Sequence, residues 1–326
     1  GKLNMITEIL NTQEIDTQSY FNETVVDIIC NQASSPAYVI DESKILSNAK
    51  ILEDIQYRTK CKILLALKAF SSPYFFDLIR PYLSGVTASS INEARLGKEI
   101  FRKETHIYSP AYMESNISEY LSYASHITFN SCSQLDLFYD FVKHSPFNID
   151  IGLRVNPGYS EIKTELYNPC GPNSRFGATA SELTPEKIKK IDGLHFHALC
   201  EQNFDTLDRC LAEFEQKFAS VLPFLKWVNF GGGHLLTSPE YDVDSLCNRI
   251  IDFQDKYNVQ VILEPGEAVV SGAGYFVTEV VDIINRHPLK IAILNTSATA
   301  HMPDVLEMPY RPFIPYSENT KTPGRR

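Results

Sequence analysis

From about residue 60 the chain alternates short apolar runs with stretches in which apolar residues recur at helical spacing. The runs read as strands are Ile63–Leu67, Gly85–Ala88, His106–Tyr108, His126–Phe129, Asp150–Val155, Gly193–His197, Trp227–Phe230 and Val261–Leu263, eight in all. Ile91–Ile100 and Thr206–Leu222 are among the helical stretches between them. Strands separated by helices pair in parallel, and eight such units close most simply into a (β/α)8 barrel. An open doubly wound sheet is the competing architecture, but no G-x-G-x-x-G follows the first strand. The ends break the alternation: Pro36–Asp41 reads as a strand followed by a helix over Glu42–Thr59, and beyond Gly266 the chain turns strand-rich, with Tyr275–Ile284 and Lys290–Asn295. The expected fold is therefore α/β, with a barrel over residues 41–267 and a β-rich second domain built from residues 1–40 and 268–326. Its tail, Pro309–Arg326, has few apolar residues and is expected to be poorly ordered.

Composition narrows the class. A hydrophobic content of 44% over 326 residues supports a sizeable core, and a net charge of −10 argues against a nucleic-acid surface while suiting cationic ligands. Seven cysteines without a CxxC read as free thiols in a reducing compartment. No run reaches the length of a membrane span and Gly1–Asn31 has no secretory pattern, so a cytoplasmic location is expected. The residues ahead of Met5 are expected to be an addition to the natural start.

In a barrel of this kind chemistry sits at the carboxyl ends of the strands. Lys68 ends the first run, whose residues Ile63–Phe70 offer it no carboxylate. Buried there, it would tend toward a neutral amine able to condense with an aldehyde; reaching into water, it would be an ordinary lysine. The sixth run carries His195 and His197 on one side, which fits metal ligands, core histidines, or an imidazole stacked on a flat cofactor. Two ligands fall short of a zinc set, and no metal is expected. Gly231-Gly232-Gly233 marks either a sharp turn or backbone N–H groups open to a phosphate. Glu264-Pro265-Gly266-Glu267 ends the eighth run, and its two carboxylates fit an acid/base pair for glycoside hydrolysis or, for Glu264, a partner to a pyridine nitrogen.

Taken together, Leu65–Lys68, His195–His197, Gly231–Gly233 and Glu264–Gly266 resemble the fold type III pyridoxal-phosphate decarboxylases, whose barrel is of the alanine racemase-like type. Longer motifs are similar to the carboxynorspermidine (carboxyspermidine) decarboxylase branch: Leu166–Gly177, His195–Gln202, Trp227–His234, Glu264–Ala268 and His301–Tyr310. The resemblance implies pyridoxal 5'-phosphate as cofactor, a carboxylated polyamine as substrate and a head-to-tail homodimer with shared active sites. It implies that Lys68 binds the cofactor's aldehyde, His197 stacks on its ring, Gly231, Gly232, Gly233 and Gly266 lie at the phosphate side, and Glu264 meets the pyridine nitrogen. Arg175, Glu267 and Asp304 are implied substrate-binding residues. A carboxypolyamine carries several ammonium groups, so carboxylates along its pocket make physical sense. Two departures from the branch are expected to matter: the second domain looks incomplete at its carboxyl end, and Asn295 stands where the branch more often has aspartate.

Overall fold

In the computed structural model, residues 23–163, 165–307 and 310–315 are described. The readings made for residues 1–22, and those for Pro309 and for residues 316–326, lie outside them.

Eight parallel strands close into a barrel in simple sequential order: β2 (Lys62–Ala66), β3 (Gly85–Ala88), β4 (Glu104–Tyr108), β5 (His126–Phe129), β6 (Asp150–Arg154), β7 (Gly193–His195), β8 (Trp227–Asn229) and β9 (Gln260–Leu263), which pairs back to β2. Parallel strands covered by helices are buried on both faces, which is why they appear as near-continuous apolar runs. Ile63, Leu64 and Leu65 of β2 are fully buried. Three of the helices that follow strands open on a capping residue: the hydroxyls of Ser90 and Ser131 accept from the N–H of Glu93 and Gln134 at 3.2 Å, and Asp242 caps Ser245 at 2.9 Å.

The helix predicted to reach Leu222 stops at Phe218, because Pro223 has no N–H and starts a short 3-10 turn instead. Its apolar stripe, Leu207, Cys210, Leu211, Phe214 and Phe218, is buried. The helix read over Ile91–Ile100 is α-helical only to Leu96 and passes into a π-turn over Gly97–Phe101. At the barrel floor Trp227 packs on Leu64 and Ile262, and a Cβ at Gly193 would fall 2.1 Å from the indole. Gly193→Ala is therefore expected to destabilise the fold by about 1–3 kcal/mol through overpacking. An unchanged urea midpoint for that variant would contradict this packing.

The chain divides into two compact units, Ile45–Ser271 and the combination of Gly1–Lys44 with Gly272–Arg326. In the second unit β1 (Ala37–Ile40) pairs antiparallel with β10 (Gly274–Val277), and β11 (Val280–Arg286) with β12 (Leu289–Leu294). The single strand read over Tyr275–Ile284 is thus two strands. Asn295 marks the break: its Oδ1 accepts from the Thr278 hydroxyl at 2.8 Å and from the Glu279 N–H at 3.0 Å, and its Nδ2 donates to Ser35 at 3.0 Å. An aspartate there would lose the donor to Ser35.

Candidate active site

Lys68 lies in the turn that follows β2, held by Ala69 N–H and Phe70 N–H bonds to the Ala66 carbonyl at 3.1 and 3.3 Å. Of the two alternatives left open for Lys68, the structure shows the exposed one. Leu67 is buried but Lys68 is exposed, so the amine is not desolvated by its own strand. Among the described residues it has no hydrogen bond or ion pair, yet it is close enough to bias the imidazoles of His195 and His197. The loop after β9 is locked against this turn. Ala66 N–H donates to the Pro265 carbonyl at 3.1 Å, and a Cβ at Gly266 would meet that of Ala69 at 2.4 Å. Only glycine lets the two backbones come this close, which brings Glu264 and Lys68 to one side of the mouth.

Glu264 is largely buried, and both its oxygens are occupied: Oε1 accepts from Asn229 Nδ2 at 2.9 Å and Oε2 faces His195 Nε2 at 3.3 Å. Burial alone would raise its pKa, but His195 and the Asn229 amide outweigh it and hold the carboxyl at about 2. His197 is half-buried, and its Nδ1 accepts the Gly232 N–H at 3.1 Å, which puts its proton on Nε2. Burial first, then the charges of Arg154 and Lys68, push its pKa well below the usual range, so it is neutral.

The glycine triplet is more committed than its sequence implies. Gly231 N–H already donates to Asn229 Oδ1 at 2.8 Å and Gly232 N–H to His197, whereas among the described residues the N–H groups of Gly233 and His234 have no acceptor. Gly231 and Gly233 sit at φ of +71° and +86°, where a side chain would also strike the carbonyls of Phe196 and Leu199.

At the rim Glu267 is exposed, and its carboxyl is pushed up to about 7, first by partial loss of surrounding water and then by the Glu201 carboxylate with which it shares a hydrogen bond. Glu201 itself adopts φ of +51°. Arg175 is exposed, its guanidinium over the Phe176 ring at 4.1 Å and its carbonyl accepting from Asn130 at 2.8 Å. Asp304 belongs to the other unit, where it opens the helix Asp304–Glu307 and accepts from the Tyr310 hydroxyl.

Sequence reasoning missed a buried cation. Arg154, 5% exposed, ends β6, donates to the Tyr108 hydroxyl at 2.9 Å, and lies over the rings of Tyr108 and Phe176 at 5.0 and 4.5 Å, with no carboxylate partner among the described residues. It pairs in register with His195, which pairs with Asn229. Among the described residues no third ligand groups with His195 and His197 as a metal set. One grouping that could hold a metal, Glu104, His106 and His126, lies near the amino ends of β4 and β5. There Lys62 neutralises Glu104 at 2.5 Å and the two imidazoles stack at 3.8 Å and 10°, so their in-plane lone pairs run parallel instead of converging. It serves as a charge-balanced floor to the barrel.

No family model matches the chain. Against individual proteins it is 45% identical over 276 residues to the carboxynorspermidine/carboxyspermidine decarboxylase of Campylobacter jejuni, covering 85% of this chain and 71% of that protein. The chain belongs to the carboxynorspermidine/carboxyspermidine decarboxylase family. Within reach of the same family lies the carboxyaminopropylagmatine decarboxylase of Synechocystis, 40% identical over 281 residues, 86% of this chain and 72% of that protein. The crystal structure of carboxynorspermidine decarboxylase from Campylobacter jejuni, complexed with norspermidine, matches with a TM-score of 0.79 at 42% identity, over 85% of this chain and 72% of that one. The decarboxylase barrel and its antiparallel second unit are thus a shared architecture, and the chain spans somewhat under three quarters of these relatives.

Proposed function

We propose that this chain is a pyridoxal-phosphate-dependent carboxy-lyase that converts carboxynorspermidine or carboxyspermidine to norspermidine or spermidine in polyamine biosynthesis. The observation that carries the reading is the closure of the Glu264–Gly266 loop onto the Lys68 turn, which unites an accessible amine with a buried, ionised carboxylate.

The residues present fit the cofactor. Lys68 offers an amine to an aldehyde, Glu264 an anion to a protonated pyridine nitrogen, His197 a flat neutral ring, and the N–H groups of Gly233 and His234 two donors to a phosphate. When bound, pyridoxal phosphate supplies an aldehyde for the substrate's α-amine and a conjugated ring that accepts the electrons left by departing carbon dioxide. Glu264, held ionised, favours that electron-withdrawing form, each unit of nitrogen pKa corresponding to about 1.4 kcal/mol. Arg154 provides a buried positive charge for an anionic oxygen, and Lys68, once displaced, is a base at the reacting face.

Glu267, together with Glu201, binds a substrate ammonium; Arg175 is a further substrate contact in this reading. Glu267 gains its negative charge as pH rises through about 7. The substrate amines remain protonated there. KM is therefore expected to fall as pH rises through this range, and Glu267→Gln should raise KM about ten- to a hundredfold and flatten that dependence. A pH profile of KM unchanged in the variant would contradict the assignment.

A cytoplasmic homodimer with shared sites completes the proposal; among the described residues no helix is long and apolar enough to cross a membrane. Glycoside hydrolysis is set aside, since the similar proteins at 45% and 40% identity are decarboxylases. Carbon dioxide release from carboxynorspermidine, carboxyspermidine, carboxyaminopropylagmatine, diaminopimelate and ornithine tests the function. Turnover of the first two above the rest is expected. Cofactor binding with no release from any of them would instead favour a catalytically silent polyamine-binding homologue.

A further inference from the structure

The polar row across the barrel mouth contains a group that the proposed reaction has not yet used. His195 is 3% exposed, its Nε2 faces Glu264 Oε2 at 3.3 Å, and its Nδ1 is buried with no hydrogen-bond partner. An imidazole in that arrangement carries its one proton on Nε2 and aims it at the carboxylate. Asn229, its register neighbour on β8, divides its amide between two tasks: Nδ2 donates to Glu264 Oε1 at 2.9 Å while Oδ1 accepts the Gly231 N–H at 2.8 Å. The carboxylate plane is thereby fixed from both sides, and the same amide ties it to the glycine triplet.

We propose that His195, assisted by Asn229, is the positioning residue of Glu264: a neutral imidazole that holds the carboxylate ionised and oriented without sharing its charge. This rests on reading Glu264 as the partner of the pyridine nitrogen. A protonated His195 would neutralise Glu264 and leave the cofactor facing an ion pair of no net charge. Several neighbours work against that protonation. Burial lowers the pKa of His195, Arg154 on β6 and Lys68 after β2 lower it further, and Glu264 opposes them without reversing the direction. Tyr108, whose ring lies 5.4 Å from the imidazole, has a phenol raised by burial and contributes no charge, and the neighbouring His197 is neutral. His106 is the remaining titratable group that acts on Glu264. The buried cation beside His195 therefore has a consistent role: it keeps the histidine a donor and nothing more.

Two variants separate this from a packing role. His195→Phe removes the donor and keeps a ring; His195→Gln removes the ring and keeps an N–H. In the full-length protein without added cofactor, the Glu264 carboxyl is followed by isotope-edited infrared titration, with Glu264→Gln identifying its band. The expected result is a titration raised by about two units in His195→Phe and largely restored in His195→Gln. With pyridoxal phosphate added, its dissociation constant should rise about tenfold in His195→Phe, because the loss of one charge-assisted hydrogen bond loosens the placement of the carboxylate, with rescue by glutamine. A carboxyl that titrates as in the parent protein in His195→Phe overturns the proposal, as does loss of cofactor affinity to the same degree in both variants. Should the parent protein bind no cofactor while the carboxyl shifts as expected, the decarboxylase reading fails and the local charge relation stands apart from it.

Discussion

Lys68→Ala is expected to lower kcat for carboxynorspermidine by about 10⁴-fold, on the order of what removal of a reacting nucleophile costs, while leaving the thermal midpoint near that of the parent protein. The stability half of this expectation follows from exposure. Lys68 makes no hydrogen bond or ion pair among the described residues, and the turn that carries it is held by backbone bonds to Ala66 and by the Gly266 contact, none of which needs its side chain. Surface positions of that kind change stability within about 0.5 kcal/mol. The activity half follows from the absence of a substitute: Lys62 is the other lysine of this strand, and it is committed to Glu104 at the opposite end of the barrel. Lys68→Arg should be equally inactive, since a guanidinium stays protonated and cannot condense with an aldehyde. Steady-state carbon dioxide release and a melting curve on the same preparations check both halves.

Glu264→Gln carries the second large effect, a fall in kcat on the order of 10²- to 10³-fold with KM little changed. The amide is nearly isosteric and keeps an oxygen for one of the two donors, so the loop can keep its course. What is lost is the negative charge that Asn229 and His195 now hold in a buried place. Since that charge acts on the electron-accepting ring and not on the substrate's distant amines, the loss belongs in kcat. A variant whose KM rose while kcat held would relocate Glu264 to substrate binding. The contrast with Glu267→Gln, expected to act on KM, makes the pair diagnostic.

Much of the barrel was legible because parallel strands covered on both sides must be apolar throughout, so Ile63–Leu67 or Val261–Leu263 stand out without any partner in view. Lys68 and Glu264 were singled out for a related reason, each a polar residue where such a run ends, and His197 as one of two histidines on one side of the sixth run. Arg154, Asn229 and Glu201 also sit at run ends but were passed over. Their meaning depends on register, in which Arg154, His195 and Asn229 become a single row across β6, β7 and β8. Exposure of Lys68 was left open since it is set by neighbouring loops and not by the run Ile63–Phe70 itself. The glycine triplet was left between a turn and an open cradle for the same reason, as the acceptors that occupy Gly231 and Gly232 come from Asn229 and His197, one on the adjoining strand end and one on the neighbouring loop. Helix ends were misplaced where a local device intervened, Pro223 at one and the π-turn after Leu96 at the other.

Borohydride treatment of the protein after incubation with pyridoxal phosphate, followed by peptide mass spectrometry, addresses Lys68 most directly. The account predicts a phosphopyridoxyl label on the peptide containing Lys68, in near-stoichiometric amount and absent from Lys68→Ala. A label spread over surface lysines such as Lys60 and Lys226, with Lys68 unmodified, would contradict it.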